Sequence, residues 1–108
     1  MFDEVQPVAL AQIEAARTRL EGLSAISPLI ACGAAPAGKT LFLKLENLQS
    51  IGSFKIRPIG NAVLARDRER LSSGIYTTST GNSALGVAWM ARRLGIAATA
   101  VEIGRAHV

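Results

Sequence analysis

The stretch Lys44-Leu45-Glu46-Asn47-Leu48-Gln49-Ser50-Ile51-Gly52-Ser53-Phe54-Lys55-Ile56-Arg57 decides the reading of this chain. An apolar strand, Leu41-Phe42-Leu43-Lys44-Leu45-Glu46, runs into it and ends in an acid. Lys55 then stands just past a Gly-Ser turn. About two dozen residues further on comes Ser79-Thr80-Gly81-Asn82-Ser83-Ala84-Leu85-Gly86. A lysine amine can form a Schiff base with an aldehyde. A Gly-Asn loop that opens a helix points several backbone N–H groups at one spot, where an anion can sit.

Strand signals surround a helical one in the second half. Gly74 opens the strand 75–79, where Ile75, Thr77 and Thr78 favour extended backbone. Residues 83–94 carry Leu85, Ala88 and Trp89 at helical spacing, and Gly95 stops the helix. Residues 97–102 form the next strand. Strand, helix and strand in so short a span make a βαβ unit, which implies a parallel pair. The class is α/β.

The first half reads as a helix over 7–21, with Pro7 in its first turn and Ala9, Ile13, Ala16 and Leu20 on one face. A loop follows at 33–39, then the strand 41–46. Ser53 suits the cap of a helix whose first turn holds Lys55. Pro58 conflicts with a helix interior, so either the regular helix begins at Pro58 or its opening turn is distorted. From there a helix is expected over 58–71, its exposed part from Asn61 to Arg70 laced by salt bridges.

Together the two motifs resemble the threonine/serine dehydratase branch of the pyridoxal-phosphate (PLP) enzymes with the tryptophan-synthase-β-like fold, fold type II. Family members commonly read K-L-E-x-x-Q-x-x-G-S-F-K-x-R, matched by residues 44–57, and S-x-G-N-H-A-x-G-V-A, matched in part by residues 79–88. The resemblance spans roughly residues 27–102. It implies the N-terminal third of a two-domain enzyme: residues 1–72 as part of the large domain, 73–102 as the start of the small one. It also implies a homo-oligomer at full length. The Gly-rich loop that cups the cofactor phosphate in this family would lie beyond residue 108.

Site roles follow from the resemblance, residue by residue. Lys55 would be the catalytic lysine that carries pyridoxal 5'-phosphate. Phe54 would lie against the cofactor ring, although a core phenylalanine buries its ring equally well. Asn82 would hydrogen-bond the 3-hydroxyl oxygen of the cofactor. Ser79, Thr80, Gly81, Asn82 and Ser83 would hold the substrate carboxylate. Arg57 is left to structural ion pairing. The implied reaction is β-elimination from a 3-hydroxy amino acid, giving a 2-oxo acid and ammonia.

Three positions depart from the family pattern. Pro58 replaces a usual Gly. Ser83 stands where His is frequent; mammalian-type serine dehydratases also carry a small residue there, so Ser83 is compatible with activity. Thr80 stands where serine racemases carry a serine, and its added methyl argues against racemisation. β-Replacement, as in cysteine synthase, and threonine synthase remain alternatives, because those relatives carry Gly-Asn-Thr in the second loop. A non-catalytic truncated product is the alternative of a different class.

Composition narrows the rest. Hydrophobic residues make up 49 % of the chain, enough for a core. No apolar run approaches the ~18–20 residues of a membrane span. Asp3 and Glu4 occupy the place of a signal peptide's basic region. The net charge of +4 comes from arginines interleaved with acids, not a basic stripe with aromatics, so nucleic acid is not an expected partner. A single cysteine, Cys32, permits no internal disulfide and fits a reducing cytoplasm. The final Ile103-Gly104-Arg105-Ala106-His107-Val108 resembles a translated short-read sequencing adapter. Residues 103–108 are therefore expected to be a non-native tail on a truncated gene, and His107 is assigned no role. No metal site is expected.

Overall fold

A computed structural model describes residues 4–79 and 81–102. Helix α1 covers Leu10–Arg19. It starts later than its periodicity suggests, because Ala9 is extended at φ −70° and ψ 145°. Gln12 Oε1 accepts the Ala9 N–H at 3.0 Å and marks the helix start there, leaving Pro7 outside. The apolar face expected to be buried is largely exposed, and Ile13 is open to solvent. Only the far end of α1 meets the body of the protein.

Strand β1, Leu29–Cys32, pairs antiparallel with β2, Leu41–Lys44, with Leu29 opposite Lys44 and Cys32 opposite Leu41. β1 has no counterpart in the sequence reading, since Leu-Ile-Ala-Cys shows neither alternation nor β-branched enrichment. β2 is shorter than the expected 41–46. Leu45 still donates to Pro28 O at 2.9 Å, but Glu46 begins a 3-10 turn, Glu46–Leu48.

Helix α2, Ile56–Leu64, resolves the conflict at Pro58. The helix starts two residues earlier, so Pro58 is its third residue. An N–H there would have no intrahelical partner, and the ring costs nothing. The turn is regular: Arg57 N donates to Phe54 O at 2.9 Å and Ile59 N to Lys55 O at 3.2 Å. The single helix expected over 58–71 is two. Asp67 is extended, at ψ 142°, and starts the separate turn α3, Arg68–Leu71. The expected salt bridges are not there either: among the described residues the ion pair is Arg57–Glu46.

The second half follows the sequence reading. Strands β3, Ile75–Thr78, and β4, Ala98–Val101, are parallel, with Ile75 opposite Ala98 and Thr78 opposite Val101. Helix α4, Asn82–Leu94, crosses between them and ends at Gly95. The core joins both halves of the chain: Leu23, Val63, Leu71 and Met90 form one buried cluster, edged by Leu20, Ile59, Ile75 and Trp89. Ile56 and Met90 are wholly buried.

Two glycines let the helices close up. A Cβ on Gly60 would overlap Leu23 Cδ2 beneath α1, and one on Gly86 would lie 2.6 Å from Ile59 Cδ1. Ile59 of α2 meets Gly86 of α4, and one turn onward Val63 and Met90 share the core cluster. The two helices therefore advance in the same sense, with their first turns at the same end.

Candidate active site

That end carries both motifs. Lys55 is the residue just before α2, and Gly81 the residue just before α4. Lys55 lies one helical turn before Ile59, and Asn82 one turn before Gly86. Ile51, in the loop leading to Lys55, also reaches Gly86, at 3.5 Å from the position of its missing Cβ.

Ser53 is buried, and its Oγ accepts the Lys55 N–H at 3.3 Å. This is a local turn and not the helix cap read from the sequence: the N-cap position of α2 is Lys55 itself, with no side-chain cap hydrogen bond, and Lys55 precedes the regular helix instead of lying in its first turn. Lys55 is half-buried, with Nζ 5.3 Å from the Phe54 ring centroid. Phe54 itself is 54 % exposed, so the ring is not a core residue and one face stays open.

At the second motif, Ser79 Oγ accepts the Gly81 N–H at 3.3 Å. The first N–H taken up within α4 is that of Leu85, which donates to Gly81 O at 3.2 Å. The N–H groups of Asn82, Ser83 and Ala84 have no acceptor among the described residues. Nothing lies within 4 Å of where a Gly81 Cβ would be, so a ligand can approach the backbone there. Asn82 is exposed and Ser83 half-buried. Thr80 lies outside the described residues, as do residues 103–108 with His107.

These residues suit a phosphopyridine aldehyde. Lys55 offers the amine, Phe54 an open aromatic face, and the start of α4 a set of N–H donors for an anion. A groove of about 410 Å³ lined by Ile59, Ala62, Val63, Arg66, Tyr76 and Val87 is a separate feature, lined by neither Lys55 nor the 79–83 turn.

Beside Lys55 stands a polar cluster that the sequence reading only touched, through Arg57. Arg57 Nε and Nη2 donate to Glu46 Oε2 and Oε1, each at 2.8 Å. Those bonds hold the Glu46 carboxyl down at about 2, with Ser27, the Arg57 charge and Gln49 adding to the effect and burial opposing it. The same pairing raises Arg57. Gln49 is buried, and its side chain bonds both backbone groups of Ala25 at 2.8 Å. The available signal was the placement of Glu46, Gln49 and Arg57 around the lysine turn in one short motif.

Residues 15–103 match the family described as "Pyridoxal-phosphate dependent enzyme". A serine racemase of Dictyostelium discoideum is 39 % identical over 75 % of this chain and 26 % of its own length. An L-threonine ammonia-lyase of Geobacter sulfurreducens is 45 % identical over 57 % of this chain and 15 % of its own. The structure of maize serine racemase superimposes with a TM-score of 0.82 at 35 % identity, covering 90 % of this chain and 31 % of that one. The chain thus spans about a third or less of the relatives it matches. With its α/β fold and its lysine motif, it belongs to the pyridoxal-phosphate-dependent enzymes of fold type II.

Proposed function

We propose that the protein carrying this segment is a PLP-dependent ammonia-lyase that converts threonine or serine to a 2-oxo acid and ammonia. The observation that carries the reading is the side-by-side start of α2 and α4, which brings Lys55 and the N–H donors of Asn82, Ser83 and Ala84 to one end of the packed pair. In the whole protein we assign residues 1–72 to the large domain and 73–102 to the small one, with the site between them.

Bound there, the cofactor supplies an electron sink for negative charge at the substrate α-carbon. Lys55 Nζ would hold the cofactor aldehyde and would serve as the base that takes the substrate α-proton. Ser79, Thr80, Gly81, Asn82 and Ser83 grip the substrate carboxylate and so orient that proton toward Lys55. Asn82 also holds the cofactor 3-hydroxyl oxygen, and the Phe54 ring supports the cofactor. Loss of the β-hydroxyl as water, then uptake of water with release of ammonia, balances the reaction.

The similarity to serine racemases supports a second reading, inversion at the same α-carbon, which needs a second acid/base on the opposite face. Thr80 keeps a hydroxyl at that position, with an added methyl that disfavours the role. Assaying the full-length protein with L-threonine and L-serine for ammonia, 2-oxo acid and D-serine separates the two. We expect ammonia and 2-oxo acid in equal amounts. D-Serine as the main product would replace the lyase reading by the racemase one, and inertness toward both substrates would refute both.

A further inference from the structure

The proposed function leaves Glu46, Gln49 and Arg57 without a task, yet they hold the densest polar bonding among the described residues. Arg57 is the second residue of α2, two beyond Lys55. Besides its fork on Glu46, it donates to Ser24 Oγ at 3.2 Å and to Ala25 O at 3.1 Å. One guanidinium thus ties the first turn of α2 to two separate segments, around residues 24–25 and at 46. Gln49 ties those two segments to each other through Ala25, and the Ser27 hydroxyl donates to Glu46 Oε1.

The backbone at Lys55 is fixed from both directions. Ile56 behind it is fully buried, and Ser53 before it is buried and bonded to the Lys55 N–H. By contrast, Lys55 Nζ makes no hydrogen bond among the described residues; its neighbour is the Phe54 ring. A clamped stem under an uncommitted amine suits a group that must meet an aldehyde carbon at one distance and angle. A planar, two-pronged donor is needed for this clamp, and a lysine ammonium cannot reproduce it.

We propose that Glu46 and Arg57 are positioning residues for Lys55: their fork, locked by Ser27 and Gln49, fixes the start of α2 so that the amine meets a cofactor aldehyde in a single geometry. The proposal rests on the reading of Lys55 as the cofactor lysine. It is separate from any choice between elimination and racemisation.

The test is borohydride trapping of pyridoxal phosphate on the full-length protein. Hydride from borohydride adds to the carbon of the C=N bond and a solvent proton to nitrogen, leaving a stable secondary amine that peptide mass spectrometry locates. Lys39, outside the clamp, serves as the internal control. Arg57→Lys keeps the charge and removes the fork. Trapping at Lys55 is expected to slow about tenfold at saturating cofactor, with Lys39 labelling unchanged. Ser27→Ala, a milder loosening, slows it less.

A bridge that only stabilised the fold would lower the thermal midpoint and leave the trapping rate of the folded fraction unchanged; that result overturns the proposal. Trapping in Arg57→Lys equal to the parent also overturns it, while leaving the Lys55 reading intact. Absence of trapping at Lys55 in the parent overturns both. If Arg57→Lys does not fold, Ser27→Ala decides, and an unslowed rate in that folded variant counts against the clamp.

Discussion

Ile59 on α2 touches α4 at Gly86, closely enough that a Cβ on Gly86 would lie 2.6 Å from Ile59 Cδ1 and 3.5 Å from Ile51 Cδ1. This contact lies one helical turn from both functional motifs, so it sets the separation between Lys55 and the start of α4. A branched side chain at Gly86 runs into the end of the Ile59 side chain, and either that side chain or the helix must shift to admit it. Gly86→Val is expected to destabilise the protein by about 1–3 kcal/mol through overpacking. It will also lower cofactor affinity, because the two motifs no longer address one ligand. Denaturant unfolding and a cofactor titration measure the two effects. Wild-type values in both would show that the helix approach is not limiting.

The Glu46–Arg57 pair makes stability depend on acid. The Glu46 carboxyl is held at about 2 in the fold against an ordinary 4.5, so its contribution is fully present above pH 4.5. As pH falls from there toward 2, the contribution is lost. Glu46→Gln should remove most of this acid sensitivity, and urea midpoints compared between pH 6 and pH 2.5 will show it. Because the Arg57 side chain is 34 % exposed, solvent screening limits the cost of Arg57→Ala to about 1–2 kcal/mol. A parallel pH dependence in wild type and Glu46→Gln would assign the acid lability elsewhere.

Lys55→Ala will remove covalent cofactor attachment and turnover while the fold survives. The side chain gives up little beyond its contact with Phe54, worth about 0.5–1 kcal/mol at an exposed site. Loss of the visible absorbance of lysine-bound pyridoxal, with unchanged circular dichroism, is the expected pair of signals. Retained turnover would remove Lys55 from the mechanism.

Asn82→Ala separates a ligand contact from a turn residue. The Asn82 side chain makes no hydrogen bond among the described residues, so folding stability should change by less than about 0.5 kcal/mol. Cofactor affinity should fall about fivefold, the equivalent of one hydrogen bond worth about 1 kcal/mol. A large drop in thermal midpoint without any change in affinity would make Asn82 structural.

Both small sheets show apolar side chains to solvent: Ile30, Leu41, Phe42 and Leu43 on one, Tyr76 and Val101 on the other. Surfaces of this kind drive association. Expressed by itself, the 108-residue chain is expected to self-associate at micromolar concentration. Sedimentation velocity measures this, and a clean monomer would show that these faces tolerate water.

The sequence was most legible where local signals agree. Gly74, the β-branched Ile75, Thr77 and Thr78, and the Gly81 and Gly95 punctuation delimit β3–α4–β4 almost to the residue. It was least legible where one residue overrides a pattern. Asp67 splits a helix whose charge alternation reads as continuous, and β1 takes its conformation from β2 instead of from its own composition. The lysine motif pointed to Lys55, but the clamp behind it depends on Ser24, Ala25 and Ser27, about thirty residues earlier. No periodicity links such distant positions. Only the folded chain brings them together.

The two strand pairs also differ in how far the chain travels to close them. β1 and β2 are neighbours joined by the loop from Gly33 to Thr40, and such hairpins form in about 1–10 μs. β3 cannot meet β4 until everything from Ser79 to Ala97 has been placed, so loop-closure entropy is lost before that contact repays it. The hairpin is therefore available early, and the end that joins Lys55 to the start of α4 is completed late. On a ribosome, the segment bearing Lys55 emerges and collapses before its partner turn has been synthesised, which makes this site one of the last parts of the segment to become competent.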